Sequence, residues 1–273
     1  MRVFFLESRS GPLFATYRPA SNPGSRRAIL HVPAFAEEMN KSRRMVALQA
    51  DALAGQGYAV LSIDLFGTGD SAGDFVDASW RIWQDNLLEA LDWLVGQGAE
   101  RITLWSLRAG ALLALDLIKS GGCKALDSLI AWQPVLNGEV FLTQFLRLRV
   151  AAAMMNPELP QETTGELKKQ LQRGEVIEVA GYSLNPELVL PLLAAKADLN
   201  GVASIQSVAL IEVLPSGVNE LSAQAQQFVR KLQDVAINTA GNSVAGDSFW
   251  SSQDIVTVPD LIPLTISVLV DLG

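Results

Sequence analysis

The chain is poor in the residues that carry most enzymatic and extracellular chemistry. It has one cysteine, Cys123, and one histidine, His31, in 273 residues. A lone thiol forms no internal disulfide and builds no cysteine-rich zinc site, which fits a reducing compartment. Cys123 stands in the turn Gly121-Gly122-Cys123-Lys124, where a structural role is expected. Only 18% of residues are charged, 21 basic against 29 acidic, for a net charge of -8. That balance argues against general nucleic-acid binding, which needs clustered lysine and arginine to neutralise phosphates. No apolar run approaches the ~20 residues of a membrane span. The opening MRVFFLESRSGPLF meets Glu7 and Arg9 too early for a secretory leader, so a cytoplasmic protein is expected. Asp64, Asp70, Asp74 and Asp77 share an acidic loop but lack the alternating ligands and closing glutamate of a calcium hand. They are expected to cap and turn the chain; no metal and no cofactor is expected.

What is present is apolar: 49% of residues, enough for a sheet buried on both faces. Residues 3–6 and 13–17 read as a hairpin, and strands follow at 28–32, 58–65, 102–105 and 126–132. Helical spacing runs over 41–56 and 79–95 and from 109 onward. Such alternation signals a parallel, doubly wound α/β sheet with right-handed crossovers. The rhythm breaks over 137–200, where amphipathic helices and one short strand-like stretch at 176–179 suggest an inserted helical cap. It resumes with a strand at 208–214, a helix at 220–232, a strand at 235–238 and a closing helix at 259–272. The expected organisation is a core of residues 1–136 and 201–273 with a cap of 137–200.

The most informative stretch is RITLWSLRAGALLALDLIK, beginning at Arg101. A strand, a tight turn Ser106-Leu107-Arg108-Ala109-Gly110 and an apolar helix have the layout of a nucleophile elbow, Gly-x-Ser-x-Gly, with Arg108 where the serine stands. A guanidinium stays protonated and attacks no carbonyl. With His31-Val32-Pro33-Ala34-Phe35 after one strand and Asp64-Leu65-Phe66-Gly67-Thr68-Gly69-Asp70-Ser71 after the next, nearly the whole chain resembles the α/β-hydrolase superfamily. The phrases from Pro33 to Met45 and from Phe66 to Phe75 resemble more closely the exosortase A system-associated hydrolases, type 2, of bacteria that make exopolysaccharide and sort PEP-CTERM proteins. The resemblance implies an α/β-hydrolase fold, a mostly parallel twisted sheet with helices on both faces and an inserted cap.

The departures from that pattern bear on function. The superfamily places a catalytic acid after the strand at 208, where Glu220 is the positional candidate, Glu212 lying within the strand. It places a histidine after the last strand, where this chain has Gly246-Asp247-Ser248-Phe249-Trp250. With His31 the sole histidine, the usual order of serine, acid and histidine is unavailable.

Arg108 is the leading candidate, its five donors suited to a carboxylate, phosphate or sulfate at the carboxyl edge of a sheet. The alternative is that it pairs with Glu37 or Glu38 and plugs the site. Phe35, Leu107 and Gln133, with Glu37 and Glu38, are expected to line the same ligand site. Trp132, Phe249 and Trp250 are read either as aromatic walls near that edge or as core. Glu37 and Glu38, placed in the loop facing the elbow, are candidates for general acid/base work or for ties to Arg43 and Arg44. Ser106 could serve as nucleophile with His31 as base, against a strand serine and a core histidine. Three functions are consistent with these residues: a non-catalytic binder of an anionic small molecule or peptide, an ester or thioester hydrolase, and a scaffold for a sorting or exopolysaccharide pathway. The partners considered are that ligand, a protein of such a pathway and a second copy of the chain.

Overall fold

A computed structural model describes residues 1–156, 158–198 and 205–272. Eight strands form one sheet in the order β1 (Arg2–Leu6), β2 (Leu13–Arg18), β4 (Ala59–Ile63), β3 (Arg27–Val32), β5 (Arg101–Leu107), β6 (Leu126–Trp132), β9 (Ser207–Leu214) and β10 (Asn238–Ala245). The first two run antiparallel to their neighbours and the rest are parallel. The central strands are apolar almost throughout because helices cover both faces. On one face α2 (Trp80–Gly96) and α3 (Gly110–Ser120) bury Leu87, Leu91 and Leu113. On the other, α1 (Glu37–Gly55) and α8 (Leu261–Leu272) close over Trp105, Trp132 and Ile211.

Between β6 and β9 the chain forms α4 (Gly138–Met155), α5 (Thr164–Gln172), a hairpin of β7 (Ile177–Val179) and β8 (Tyr182–Leu184), and α6 (Pro186–Ala194). Asn137, Thr163 and Asn185 each cap a helix there through a side-chain oxygen. Leu142, Leu167 and Leu188 from this segment join the core of the α2 face. The expected boundary at Asn200 and the start of the second core segment at Gly201 lie outside the described residues.

Several expectations change. Glu37 and Glu38 are not in a loop: α1 begins at Glu37, four residues before the periodic pattern, because Ala36 turns the chain with φ 52° and offers no capping side chain. The strand expected at 235–238 is displaced: α7 (Ala223–Asp234) runs past 232 and β10 follows as a polar edge strand. The second strand of the small hairpin, Tyr182–Leu184, was not anticipated. Ser106 lies in β5, as its reading as a strand serine expects, and β5 runs on through Leu107, two residues past the expected end at Trp105.

Candidate functional site

The elbow is built as its sequence suggests. Arg108 follows β5 directly and adopts φ 53°, a left-handed conformation that costs a non-glycine residue about 1–2 kcal/mol and turns the chain sharply into α3. The turn is pinned by Arg108 N–H to the Trp132 carbonyl (3.0 Å) and Val135 N–H to the Arg108 carbonyl (3.1 Å). Gly110 packs so tightly on β3 that a Cβ there would stand 2.4 Å from the Pro33 oxygen. Glycine is therefore required two residues past the apex.

The Arg108 side chain lies in a cavity of about 430 Å³ walled by Glu37, Glu38, Lys41, Phe141, Phe145 and Trp250. Its Nε donates to Glu38 Oε1 at 3.0 Å, its Nη1 to the Gln133 carbonyl at 3.4 Å, and its Cζ lies 5.3 Å from the Trp250 ring centroid. The ion pair is about one-fifth exposed on each side. Two donors of five are engaged, and the rest of the fork borders the cavity. α3 begins beside it, so the helix dipole adds to the preference for an anion.

Glu38 is held at one oxygen only. Oε2 is buried without a hydrogen-bond partner, and burial raises the carboxyl's pKa despite Arg108. Glu37, in contrast, accepts from Tyr182 Oη at 3.0 Å and Asn40 at 3.4 Å. Burial and that carboxylate push the Tyr182 phenol up to about 12. Neither glutamate is tied to Arg43, which makes a bidentate pair with Asp64 at 3.1 and 2.8 Å. Asp64 also accepts from Asp70 N–H, and Asp74 and Asp77 cap a short 3-10 turn.

The other candidates fall in different places. Gln133 has φ 40°; its carbonyl steadies Arg108 while its side-chain oxygen accepts from Val213 N–H at 2.7 Å. Phe35 is buried behind the cavity, edge to face with Phe75, Trp83, Phe141 and Phe145. Leu107 points to the α1 face of the sheet. Ser106 is fully buried in β5, its hydroxyl 3.4 Å from the Ile130 carbonyl. His31 is buried in β3 against the Trp105 ring, and desolvation lowers it to about 4. Glu212 accepts from Ser222 N–H and Oγ, both at 2.7 Å, and Glu220 is exposed. Trp132 and Phe249 are core; Trp250, next in the chain, supplies the wall under Arg108. Lys41, Phe141, Phe145 and Tyr182 were not singled out from sequence; the amphipathic pattern of α4 was the available signal for the two phenylalanines.

The sequence profile of the X-Pro dipeptidyl-peptidase (S15) family matches residues 14–142, from β2 into the first turns of α4. No curated protein matches the chain in sequence. Among solved structures, Est1E from Butyrivibrio proteoclasticus with bound ferulic acid is similar over 98% of both chains at TM-score 0.67 and 13% identity. Mouse alpha/beta hydrolase domain-containing protein 10 is similar over 99% of both at TM-score 0.62 and 16% identity. A soluble variant of monoglyceride lipase from Saccharomyces cerevisiae, in complex with a substrate analogue, is similar over 98% of this chain and 92% of its own at TM-score 0.63 and 13% identity. The chain has the α/β-hydrolase fold.

Proposed function

We propose that this α/β-hydrolase-fold chain is a non-catalytic, cytoplasmic member of the exosortase A-associated type that binds an anionic small molecule or peptide at its elbow. The observation that carries the proposal is Arg108 at the apex with unused donors facing an aromatic cavity. With a guanidinium in the serine's place and Gly246-Asp247-Ser248-Phe249-Trp250 where the superfamily keeps its histidine, the elbow lacks the usual serine nucleophile and histidine base. It does give a cation, a helix N-terminus and ring faces, which suit an apolar acid. The segment between β6 and β9 then acts as a cap, since Phe141 and Phe145 from α4 form one wall.

Ferulic acid, the ligand of Est1E, is an aromatic carboxylic acid and a reasonable first probe. Calorimetric titration with ferulate is expected to give binding that Arg108→Ala abolishes. Glu38→Gln is expected to tighten it severalfold, because ligand and Glu38 compete for one fork. Identical isotherms for wild type and Arg108→Ala would sink the reading.

A second reading rests on Glu38, whose unpartnered oxygen and raised pKa suit a general acid/base for ester or thioester hydrolysis. Turnover of an activated ester, lost in Glu38→Gln and unaffected by a fluorophosphonate, would establish it. A fluorophosphonate adduct at Ser106 would instead revive the serine, which the closed strand otherwise shields.

A further inference from the structure

A second cavity, of about 290 Å³, lies on the α1 face of the sheet, walled by Phe14 on β2, His31 on β3, Ser62 and Ile63 on β4, and Met39 and Val46 on α1. The elbow cavity shares none of these residues. Two polar groups at this wall are incompletely satisfied. His31 makes one hydrogen bond, from Nδ1 to the Trp105 carbonyl at 3.0 Å. A carbonyl only accepts, so Nδ1 carries the proton and Nε2 of the neutral ring carries a lone pair. Ser62, paired with His31 in the parallel register of β3 and β4, points to the same face, and its buried hydroxyl has no partner.

The charged side chains at the wall are already matched. Arg43 holds Asp64 in two hydrogen bonds, and Arg18, itself buried, is paired with Asp51. The remaining demand is for one neutral group that donates to an imidazole nitrogen and accepts from a serine, which is what a hydroxyl does. An apolar cavity of about 150 Å³ accommodates benzene, so this one has room for a substituted ring.

We infer that the α1-side cavity is a binding site for a small, neutral, hydroxyl-bearing apolar molecule, held by His31 Nε2 and the Ser62 hydroxyl. It is independent of the elbow and of any function proposed there.

The single histidine makes the test direct, because every imidazole ¹⁵N signal belongs to His31. In the free protein at pH 7 the Nε2 resonance is expected at the unprotonated position. Titration with 4-ethylphenol is expected to move it upfield in wild type and in Arg108→Ala alike. 4-Ethylanisole, which has the same body without the donor, is expected to leave it in place. Ser62→Ala is expected to raise the Kd about three- to tenfold, the range for one neutral hydrogen bond. Val46→Phe, which fills the cavity, is expected to abolish the shift, and Ser62→Ala serves if that variant folds poorly. An Nε2 signal unmoved up to the solubility limit of the phenol, or moved equally by the anisole, would overturn the inference.

Discussion

Arg108 carries both the chemistry and the strain of the elbow, and the two can be separated by substitution. Arg108→Ala and Arg108→Gly both delete the guanidinium, but only glycine relaxes the backbone at φ 53°. The glycine variant is expected to be more stable than the alanine variant by about 1 kcal/mol in urea denaturation. Equal midpoints would mean that the turn is unstrained. His31 gives a second prediction at this scale. Below pH 6.5 the unfolded chain takes up a proton that the buried ring refuses until about pH 4, so native stability falls as pH drops through that window. Between pH 7 and pH 4.5 the loss assignable to this residue is of order 2–3 kcal/mol. His31→Phe is expected to show a correspondingly flatter urea midpoint across the same range; parallel curves would place the titrating group elsewhere.

At the scale of elements, Phe35 joins the core to the segment between β6 and β9, meeting Phe75 and Trp83 on one side and Phe141 and Phe145 on the other at centroid distances of 5.4 to 6.0 Å. Phe35→Ala is expected to cost about 3–5 kcal/mol and to open α4 to proteolysis before the sheet. Protection unchanged from wild type would show that other contacts hold α4. The parallel strands were legible in the sequence because strands buried on both faces read as unbroken apolar runs. β10 was not, since an edge strand of sequence NTAGNSVA has no apolar face to display. The start of α1 was hidden for a related reason, as Ala36 carries no capping oxygen and the turn is imposed by backbone geometry alone. Glu38 and Arg108 are each visible as charged residues near a sheet edge. Their pairing, and the indole of Trp250 beneath, depend on chain reversals that no local pattern encodes.

The whole molecule has one continuous core on the α2 face, shared by the sheet, its helices and the segment after β6. Unfolding is therefore expected in a single transition. All six tryptophans lie outside residues 137–200, so their fluorescence follows the sheet and its covering helices, whereas far-UV circular dichroism also counts α4, α5 and α6. The two curves are expected to coincide; dichroism lost ahead of fluorescence would show the segment melting by itself. The same interdependence holds within the elbow. Replacing Arg108 would strip the guanidinium from the face of the Trp250 indole and from a Glu38 carboxylate that already has one oxygen without a partner. Residues 38, 108 and 250 are thus expected to be energetically coupled, so that the costs of replacing them one at a time do not sum to the cost of replacing them together.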